Sequence, residues 1–401
     1  MMNSDFMDTL LDGVEVEWKT LDEIGLISSA GVDKKKIEGE KSIKLLNYMD
    51  VYRNMYLIKD IPSMIVTAPD KKIEQCNVLK GDIFFTPSSE VLNDIGNSAV
   101  ALENMYGVVY SYHIMRLRLN NPNIITSMFI NYMLGSEFVQ NQINKNAKGL
   151  TRFGLTKTQW EKLQIPIPPL NVQEEIVRIL DTFTELTAEL TAELTAELTA
   201  RKKQYTYYRD KLLTFEEGEV EWKPLGELAE NHDSMRKPIT SGLREIGDIP
   251  YYGASGIVDY VKDFIFDGDY LLVSEDGANL LARRTPIAFS ISGKSWVNNH
   301  AHVLKFNTYA ERKYIEYYLN SIDLTPYISG AAQPKLNQRN LNAIHIPNPS
   351  LEDKERIVSI LDKFDALTSS ITEGLPREIE LRQKQYEYYR NMLLSFPKEE
   401  V

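Results

Sequence analysis

Two stretches of the 401-residue chain are near copies of one another, and no other feature limits its folding as much. RKKQYTYYRDKLLTF at 201–215 returns as RQKQYEYYRNMLLSF at 382–396, a displacement of 382 − 201 = 181 residues. At the same displacement IPIPPLNVQEEIVRILDTF (165–183) returns as IPNPSLEDKERIVSILDKF (346–364). EVEWKTL (15–21) returns as EVEWKPL (219–225), displaced by 204. Several matched blocks at one shift mean two copies of one unit, each a variable part followed by a shared segment. The N-terminal FMDTLLDGVEVEW (6–18) resembles the junction YYRDKLLTFEEGEVEW (207–222), while the second copy runs out at LLSFPKEEV. The end of copy two thus looks like the lead-in to copy one, which predicts a circular, pseudo-two-fold organisation with neighbouring termini.

The shared segments carry helical periodicity. In the first, Ile176, Leu180, Phe183, Leu186 and Leu190 recur at spacings of four and three, continuing through Leu194 and Leu198 to Tyr205, Tyr208 and Leu212. Asn171 with Glu174 reads as an N-cap pair, behind an IPIPP that blocks any upstream helix. In the second, Ser350 is the candidate cap, and Ile357, Leu361, Phe364, Leu367 and Ile371 keep the register. There EGLPRE, with Gly374 and Pro376, predicts a kink or break. Leu186, Leu190, Leu194 and Leu198 stand 181 residues before Leu367, Ile371, Leu375 and Ile379, so two matched stripes are expected to pair antiparallel. The tyrosines of QYTYYR and QYEYYR are expected to be buried at helical spacing. A helix of about 43 residues is about 65 Å long, beyond a small-domain core, and reads as a spacer. Within it Thr-Ala-Glu-Leu occurs three times in succession, at 187–190, 191–194 and 195–198.

Composition excludes several classes of function. A single cysteine, Cys76, leaves no internal disulfide framework and points to a reducing compartment. The opening MMNSDFMDTLLDG is acidic, without a basic leader or apolar core, and is not read as a signal peptide. No apolar run nears the ~18 residues of a membrane span, so a cytoplasmic protein without membrane contact is expected. The net charge of −12 argues against coating nucleic acid by charge alone, yet leaves a local basic groove open. SISGKSW (290–296) is a phosphate-loop look-alike, because Ala288 stands where the loop needs a glycine. Five histidines and one cysteine supply metal clusters poorly, and His300 and His302 read as core or surface residues. No dinucleotide-type glycine turn, Asn-Pro-Pro-aromatic, His-Glu-x-x-His or Gly-x-Ser-x-Gly motif occurs. Catalysis, a resident cofactor and a metal are therefore not expected in this chain.

The variable parts offer polar, aromatic and amide-rich loops instead. In copy one these hold Tyr52, Arg53, Asn54, Ser88, Ser89, His113, Lys148 and Arg152. In copy two they hold Tyr252, Ser255, Arg283, Arg284, Lys294, Asn298, Asn299, Gln333, Lys335 and Asn337. Arginine, lysine and amides can bond base edges, while serine and lysine hold phosphates. The same residue types also fill ordinary turns. The pairs Arg283/Arg284, Asn298/Asn299 and Lys148/Arg152 are the most concentrated candidates for DNA contact.

YYGASG…DGANL…SWVNNHAHVL…GAAQPKLNQRNL…IPNP and GDIFFTPSSE…DIGNSA, set between the repeated helices, resemble the specificity subunits of type I restriction–modification systems. The resemblance covers essentially the whole chain, and the TAEL array resembles the spacer repeat of one subgroup. It implies an α+β fold: two α/β target recognition domains separated by two long helices that form an antiparallel coiled coil. The boundaries read as a first recognition domain at 1–160, a helical spacer at 161–217, a second recognition domain at 218–345 and a second helical region at 346–401. It implies a non-catalytic subunit that binds a bipartite, asymmetric site in double-stranded DNA. Two modification subunits would bind S-adenosylmethionine and methylate adenine, and restriction subunits would use ATP and Mg. The rival reading is a coiled-coil scaffold whose two globular ends bind other proteins, for which the acidic charge speaks. On the first reading each TAEL unit adds about 6 Å and turns the helix end about 40° past a full turn, close to the twist of one base pair.

Overall fold

The computed structural model describes residues 16–330, 333–369 and 374–396. They divide into two units: unit 1 takes the described residues up to Thr191 and from Glu380 on, and unit 2 takes those from Ala192 to Ile379.

In chain order unit 1 contains β1 (Glu17–Thr20), β2 (Gly25–Ser28), β3 (Lys41–Leu46), α1 (Tyr48–Arg53), β4 (Tyr56–Leu57), β5 (Met64–Ala68), β6 (Ile83–Phe85), β7 (Ser88–Ser89), β8 (Ser98–Ala101), β9 (Val108–Tyr110), β10 (Met115–Leu119), α2 (Ser127–Leu134), α3 (Glu137–Asn146), β11 (Phe153–Gly154), α4 (Lys157–Glu161) and β12 (Gln164–Ile167). A five-stranded sheet runs β2-β10-β6-β8-β4, and a three-stranded one runs β5-β3-β9. Strands β6 (IFF) and β9 (VVY) are apolar at every position because both of their faces are covered. One core gathers Phe85, Phe129, Trp160, Ile176 and Leu180, and another gathers Phe84, Tyr110 and Cys76.

The long helix α5 (Leu170–Leu213) follows β12. Its start differs from the expected Asn171/Glu174 cap. The Pro169 carbonyl accepts from the N–H groups of Val172 and Gln173 at 3.0 and 3.1 Å, so Asn171 already lies in the first turn. The paired prolines preset the backbone, and Pro169 supplies the capping carbonyl. From Thr187 to Leu198 only Thr187, Thr191 and the leucines are half-buried, and the remaining residues are exposed.

Unit 2 continues with β13 (Glu221–Pro224), β14 (Glu230–Asn231), β15 (Ile246–Gly253), β16 (Gly256–Val261), β17 (Phe266–Asp267), β18 (Tyr270–Ser274), α6 (Asn279–Ala282), β19 (Ala288–Ile291), β20 (Lys294–Val297), β21 (Ala301–Lys305), α7 (Tyr309–Ser321), α8 (Gln338–Asn342), β22 (His345–Asn348) and α9 (Leu351–Ser369). Its sheets are β14-β21-β18-β19 and β16-β15-β20-β17. The Ser350 hydroxyl accepts from the Asp353 N–H at 3.1 Å and caps α9 as expected. The last helix, α10 (Gly374–Leu393), opens on Gly374 at φ +78 and carries Pro376 in its first turn, where a missing N–H costs nothing. The described residues of the second shared segment thus form two helices, as EGLPRE predicts, and Ile371 lies outside them.

The two units are built on the same stem. In unit 1 β1 pairs with β12, Trp18 opposite Pro166; in unit 2 β13 pairs with β22, Trp222 opposite Pro347. The partners are displaced by 222 − 18 = 204 and 347 − 166 = 181, the two shifts of the sequence blocks. Each unit then pairs two helices antiparallel. In unit 1 Phe183 meets Tyr389 at 5.9 Å between ring centres and Thr184 meets Tyr386 at 3.0 Å, while Leu186 and Leu190 flank Arg382 and Gln385. In unit 2 the rings of Tyr205 and Tyr208 lie 6.2 and 5.8 Å from Phe364, and Leu213 joins Ile357, Val358 and Leu361 in one core. Leu190, Leu194, Leu198, Leu367, Leu375 and Ile379 are half-buried, whereas Leu186 is exposed. The tyrosines divide: Tyr205, Tyr386 and Tyr389 are half-buried, but Tyr207, Tyr208 and Tyr388 face solvent, so burial of the whole set does not hold. A two-helix contact covers only one stripe of each helix: Tyr208 stands at its edge, stacked on Phe364 with its rim in solvent, while Tyr207 and Tyr388 fall outside it.

Candidate nucleic-acid interface

In unit 1 a cleft of about 480 Å³ is lined by Lys34, Tyr48, Tyr52, Ser89, Glu90, Asp94, His113 and Arg152, among others. It brings together four of the candidates, Tyr52, Ser89, His113 and Arg152. Tyr52 stacks on Tyr48 with ring centres 6.0 Å apart, and its hydroxyl donates to Asp94 at 3.3 Å. The Asp94 charge, with burial after it, pushes the Tyr52 phenol up. The His113 ring, by contrast, is held below the usual histidine range by burial and then by the Lys34 and Arg152 charges. The cleft therefore carries cations beside His113 and a carboxylate beside Tyr52, groups suited to a phosphate and to a base-edge donor respectively.

Arg152 reaches the cleft from a hairpin that closes on itself. Lys148 and Gly154 exchange both backbone hydrogen bonds at 3.1 Å, and the Arg152 guanidinium donates to the Ser88 hydroxyl at 3.0 Å. Gly149 makes the turn: at φ +153 a Cβ there would lie 1.8 Å from the Arg152 carbonyl oxygen. Ser89 is buried, and its hydroxyl accepts from the Val91 N–H. Arg53 and Lys148 are exposed, while the Asn54 amide bonds back to the Asp50 carbonyl at 2.8 Å and finishes its own helix.

Unit 2 builds the same hairpin at the shared displacement. Ser329 and Lys335 exchange backbone bonds at 2.8 and 2.7 Å, and they follow Lys148 and Gly154 by 329 − 148 = 335 − 154 = 181. Gly330, the counterpart of Gly149, has φ +87, and a Cβ there would lie 2.4 Å from the Gln333 carbonyl oxygen. Gln333 thus occupies the place of Arg152, and both it and Lys335 are exposed. Asn337, the counterpart of Thr156, caps α8 by accepting from the Asn340 N–H at 3.0 Å, much as Thr156 caps α4 through the Gln159 N–H. The two glycines at one shift are the signal that sequence reading left unused.

The other candidates in unit 2 separate into exposed and inward-facing side chains. Tyr252 is half-buried, with Ser255 exposed in the turn after it. Asn299 is exposed, and Lys294 lies over the Phe264 ring at 4.6 Å. Asn298 is a correction: it is buried, its N–H donates to the Tyr252 carbonyl at 3.0 Å, and its side-chain oxygen accepts from the His300 N–H at 2.8 Å. Arg283 is another. Its guanidinium turns inward to the carbonyls of Leu319 and Ile322 at 3.5 and 2.7 Å, within and just past the last turn of α7. That contact is made from a left-handed backbone, φ +50, the only positive φ outside glycine among the described residues. Its neighbour Arg284 is exposed.

Beneath this surface His302 is fully buried, its Nδ1 2.6 Å from Asp233 and its Nε2 2.7 Å from the Leu336 carbonyl. Asp233, Glu275 and His302 lie close enough to hold a metal. Their donor atoms already have partners, however: Arg236 bonds Glu275 at 2.5 Å and approaches Asp233 at 3.3 Å, and Lys335 takes the other Glu275 oxygen at 3.0 Å. The cluster braces Lys335 and the hairpin from below, and its cationic partners are protein side chains.

Comparison with known proteins agrees with this layout. The family profile for the type I restriction modification DNA specificity domain matches residues 13–200 and 217–381. The chain is 34% identical over 447 aligned positions to the type I restriction enzyme EcoR124I/EcoR124II specificity subunit of Escherichia coli, covering 100% of this chain and 99% of that one. It is 33% identical to the EcoprrI specificity subunit of the same species, over 93% of each. Among solved structures, a chain from work on complex assembly and conformational transition of the type I R-M system aligns with TM-score 0.66 at 15% identity, over 96% and 98% of the two chains. The HsdS subunit from Thermoanaerobacter tengcongensis aligns with TM-score 0.55 at 17% identity, over 94% and 95%. At these identities the structural likenesses speak for the fold.

Proposed function

The chain belongs to the family of type I restriction–modification DNA specificity subunits, and from that premise we propose how its two units divide the work. It is the subunit that confers DNA sequence specificity and is not itself the catalyst; its partners are DNA and the other subunits of the restriction–modification complex. Residues 1–160 and 218–345 act as recognition domains, each reading one half of a bipartite, asymmetric site. The observation that carries this reading is the repeated hairpin. The same glycine-turned loop presents Lys148 and Arg152 in one unit and Gln333 and Lys335 in the other, on sheets of different strand order. Same stem and loop on different cores suits two half-sites of different sequence.

Within unit 1, Lys148, Arg152, Arg53 and Lys34 hold phosphates, while Tyr52, Ser88 and His113 face base edges and the buried Ser89 holds the cleft floor through Val91. Within unit 2, Lys335, Arg284 and Lys294 hold phosphates, and Tyr252, Ser255, Asn299 and Gln333 read bases. Two modification subunits carrying S-adenosylmethionine, and restriction subunits using ATP and Mg, dock on the helical regions. Among the described residues no helix is long and apolar enough to cross a membrane, which fits a subunit that works on DNA inside the cell.

The test is to co-express the chain with its modification subunit and map methylated adenines. Two short sequences at one fixed separation are expected, with Arg152→Ala weakening methylation at sites that contain the unit 1 half. Methylation without sequence preference, or preference unchanged when this chain is replaced, would remove the assignment.

A further inference from the structure

Asp181 and Asp362 hold the same place in the two copies, 181 + 181 = 362, within ILDTF and ILDKF. Each is a half-buried carboxylate on a long helix, and each receives two tyrosine hydroxyls from the sheet-bearing part of its own unit. In unit 1 the donors are Tyr56, on β4, and Tyr132, on α2, the latter at 2.7 Å. In unit 2 they are Tyr309 and Tyr317, both on α7, at 2.9 and 2.6 Å. One donor follows the repeat as well, offset by four more residues: Tyr132 in FINYML (129–134) answers to Tyr317 in YIEYYL (314–319), 317 − 132 = 185, whereas Tyr56 on β4 and Tyr309 on α7 hold unrelated places. Each domain therefore adds a second tyrosine of its own to a repeated aspartate–tyrosine pair.

Two donors on one acceptor do what one cannot. A single hydrogen bond is a pivot about which a packed domain can swing, whereas two donors at separate points on the domain fix its rotation about the helix. The partners suit a fixed joint. Tyr132 and Tyr317 are almost fully buried, and burial, aided by the nearby carboxylate, pushes both phenols up, so they remain donors. Neighbouring Leu180 and Leu361 are fully buried and hold the helix against the same domain.

We propose that Asp181 and Asp362 are positioning residues that set the heading of each recognition domain on its helix, and through it the gap between half-sites that the complex accepts. The proposal rests on the specificity-subunit reading above. Its test uses the assembled complex of the full chain with its modification subunits. The substrate is a DNA pool in which both half-sites are held and the gap varies by single base pairs. Asp181→Ala is used because both hydroxyls meet the one oxygen, Oδ1, that an asparagine would keep, whereas Asp362→Asn turns one of two separate acceptor oxygens into a donor. Each should lower the preference for the wild-type gap over its neighbours by about tenfold or more, the worth of at least one charge-assisted hydrogen bond. Both half-site sequences should stay unchanged. Tyr132→Phe and Tyr317→Phe should act in the same direction from the domain side. If an aspartate variant does not assemble, Tyr56→Phe and Tyr309→Phe, which each remove one hydroxyl from the less buried member of a pair, carry the test. Assembled variants that keep the full gap preference overturn the proposal, as do variants that read altered half-sites. A wild-type complex with no sequence preference overturns the functional reading itself, and the proposal with it.

Discussion

Arg283 and Arg284 are adjacent, yet the structure assigns them opposite consequences. Arg283→Ala removes hydrogen bonds to the Leu319 and Ile322 carbonyls, of which only the 2.7 Å contact to Ile322 has normal length. A hydrogen bond from a charged group contributes about 1.5–3 kcal/mol, and partial solvent access to this side chain favours the lower end, about 1–2 kcal/mol. Alanine keeps the left-handed backbone strain, so that cost cancels between wild type and variant. For a unit of this size, about 2–4 °C per kcal/mol gives a loss of about 2–8 °C in Tm for unit 2. Arg283→Gly loses the same bonds but relieves about 1 kcal/mol or more of left-handed strain, and should melt above Arg283→Ala. Neither change should alter the salt dependence of DNA binding. Arg284→Ala should do the reverse, leaving Tm in place and reducing the slope of log K against log[salt] by about 0.9 for one phosphate contact. Thermal unfolding of the full chain and DNA titrations across salt concentrations measure both. An Arg283→Ala chain that melts like wild type while losing a full phosphate contact would refute the inward assignment.

Gly149→Ala should open the unit 1 hairpin, because the added carbon meets the Arg152 carbonyl oxygen at 1.8 Å. The chain should stay folded while the salt slope falls by up to about 1.8, two phosphate contacts, in the same titration. Around Asp233, burial opposes ionisation, but the His302 hydrogen bond and charge, the Val303 N–H and Arg236 outweigh it and hold the carboxyl below its usual range; Arg236, Lys335 and His302 do the same for Glu275. Folded values below unfolded ones mean that the native state binds fewer protons. The stability these groups contribute is therefore complete above the ordinary carboxylate range and is lost as pH falls through the lowered values. Asp233→Asn should flatten the stability–pH curve below about pH 4, as followed by denaturant unfolding. Deleting Thr191–Leu194 shortens α5 by about 6 Å and should reduce the preferred half-site gap by about one base pair. An unchanged gap, or a changed half-site, in methylation mapping would contradict it.

Legibility in the sequence followed the repeat. The helix pairs could be read because local rules and a second copy agreed on them, and the Ser350 cap and the break at Gly374 because local rules alone are strong there, whereas the stem strands carry a matched sequence but too short a pattern to announce a ladder. The helix start at Leu170 could not, since Asn171 looks like a cap and only the Pro169 carbonyl shows otherwise. The interface candidates were chosen by residue type, and type does not say which way a side chain turns. Arg283 and Asn298 have the chemistry of DNA readers, but tertiary contacts with α7 and with Tyr252 and His300 claim them. Asp181 and Asp362 lay in view within the matched blocks. Their meaning depends on tyrosines that are 49 and 125 residues away from one and 45 and 53 residues away from the other, a convergence no local pattern displays.

The short ladders β1–β12 and β13–β22 bear on how such a chain changes over generations. Each joins the first strand of a domain to the strand that leads out of it, so the two ends of everything between them sit one hydrogen bond apart. What lies between can then be lengthened, rearranged or exchanged without moving the helix that follows. The units already differ in this way, a five- and a three-stranded sheet standing in one where two four-stranded sheets stand in the other. Recombination with breakpoints inside EVEW and IPxP would carry a whole reading head from one gene to another with its chain ends already zipped. New target sequences could arise by cassette exchange in one step, whereas point mutation would have to rebuild a cleft residue by residue.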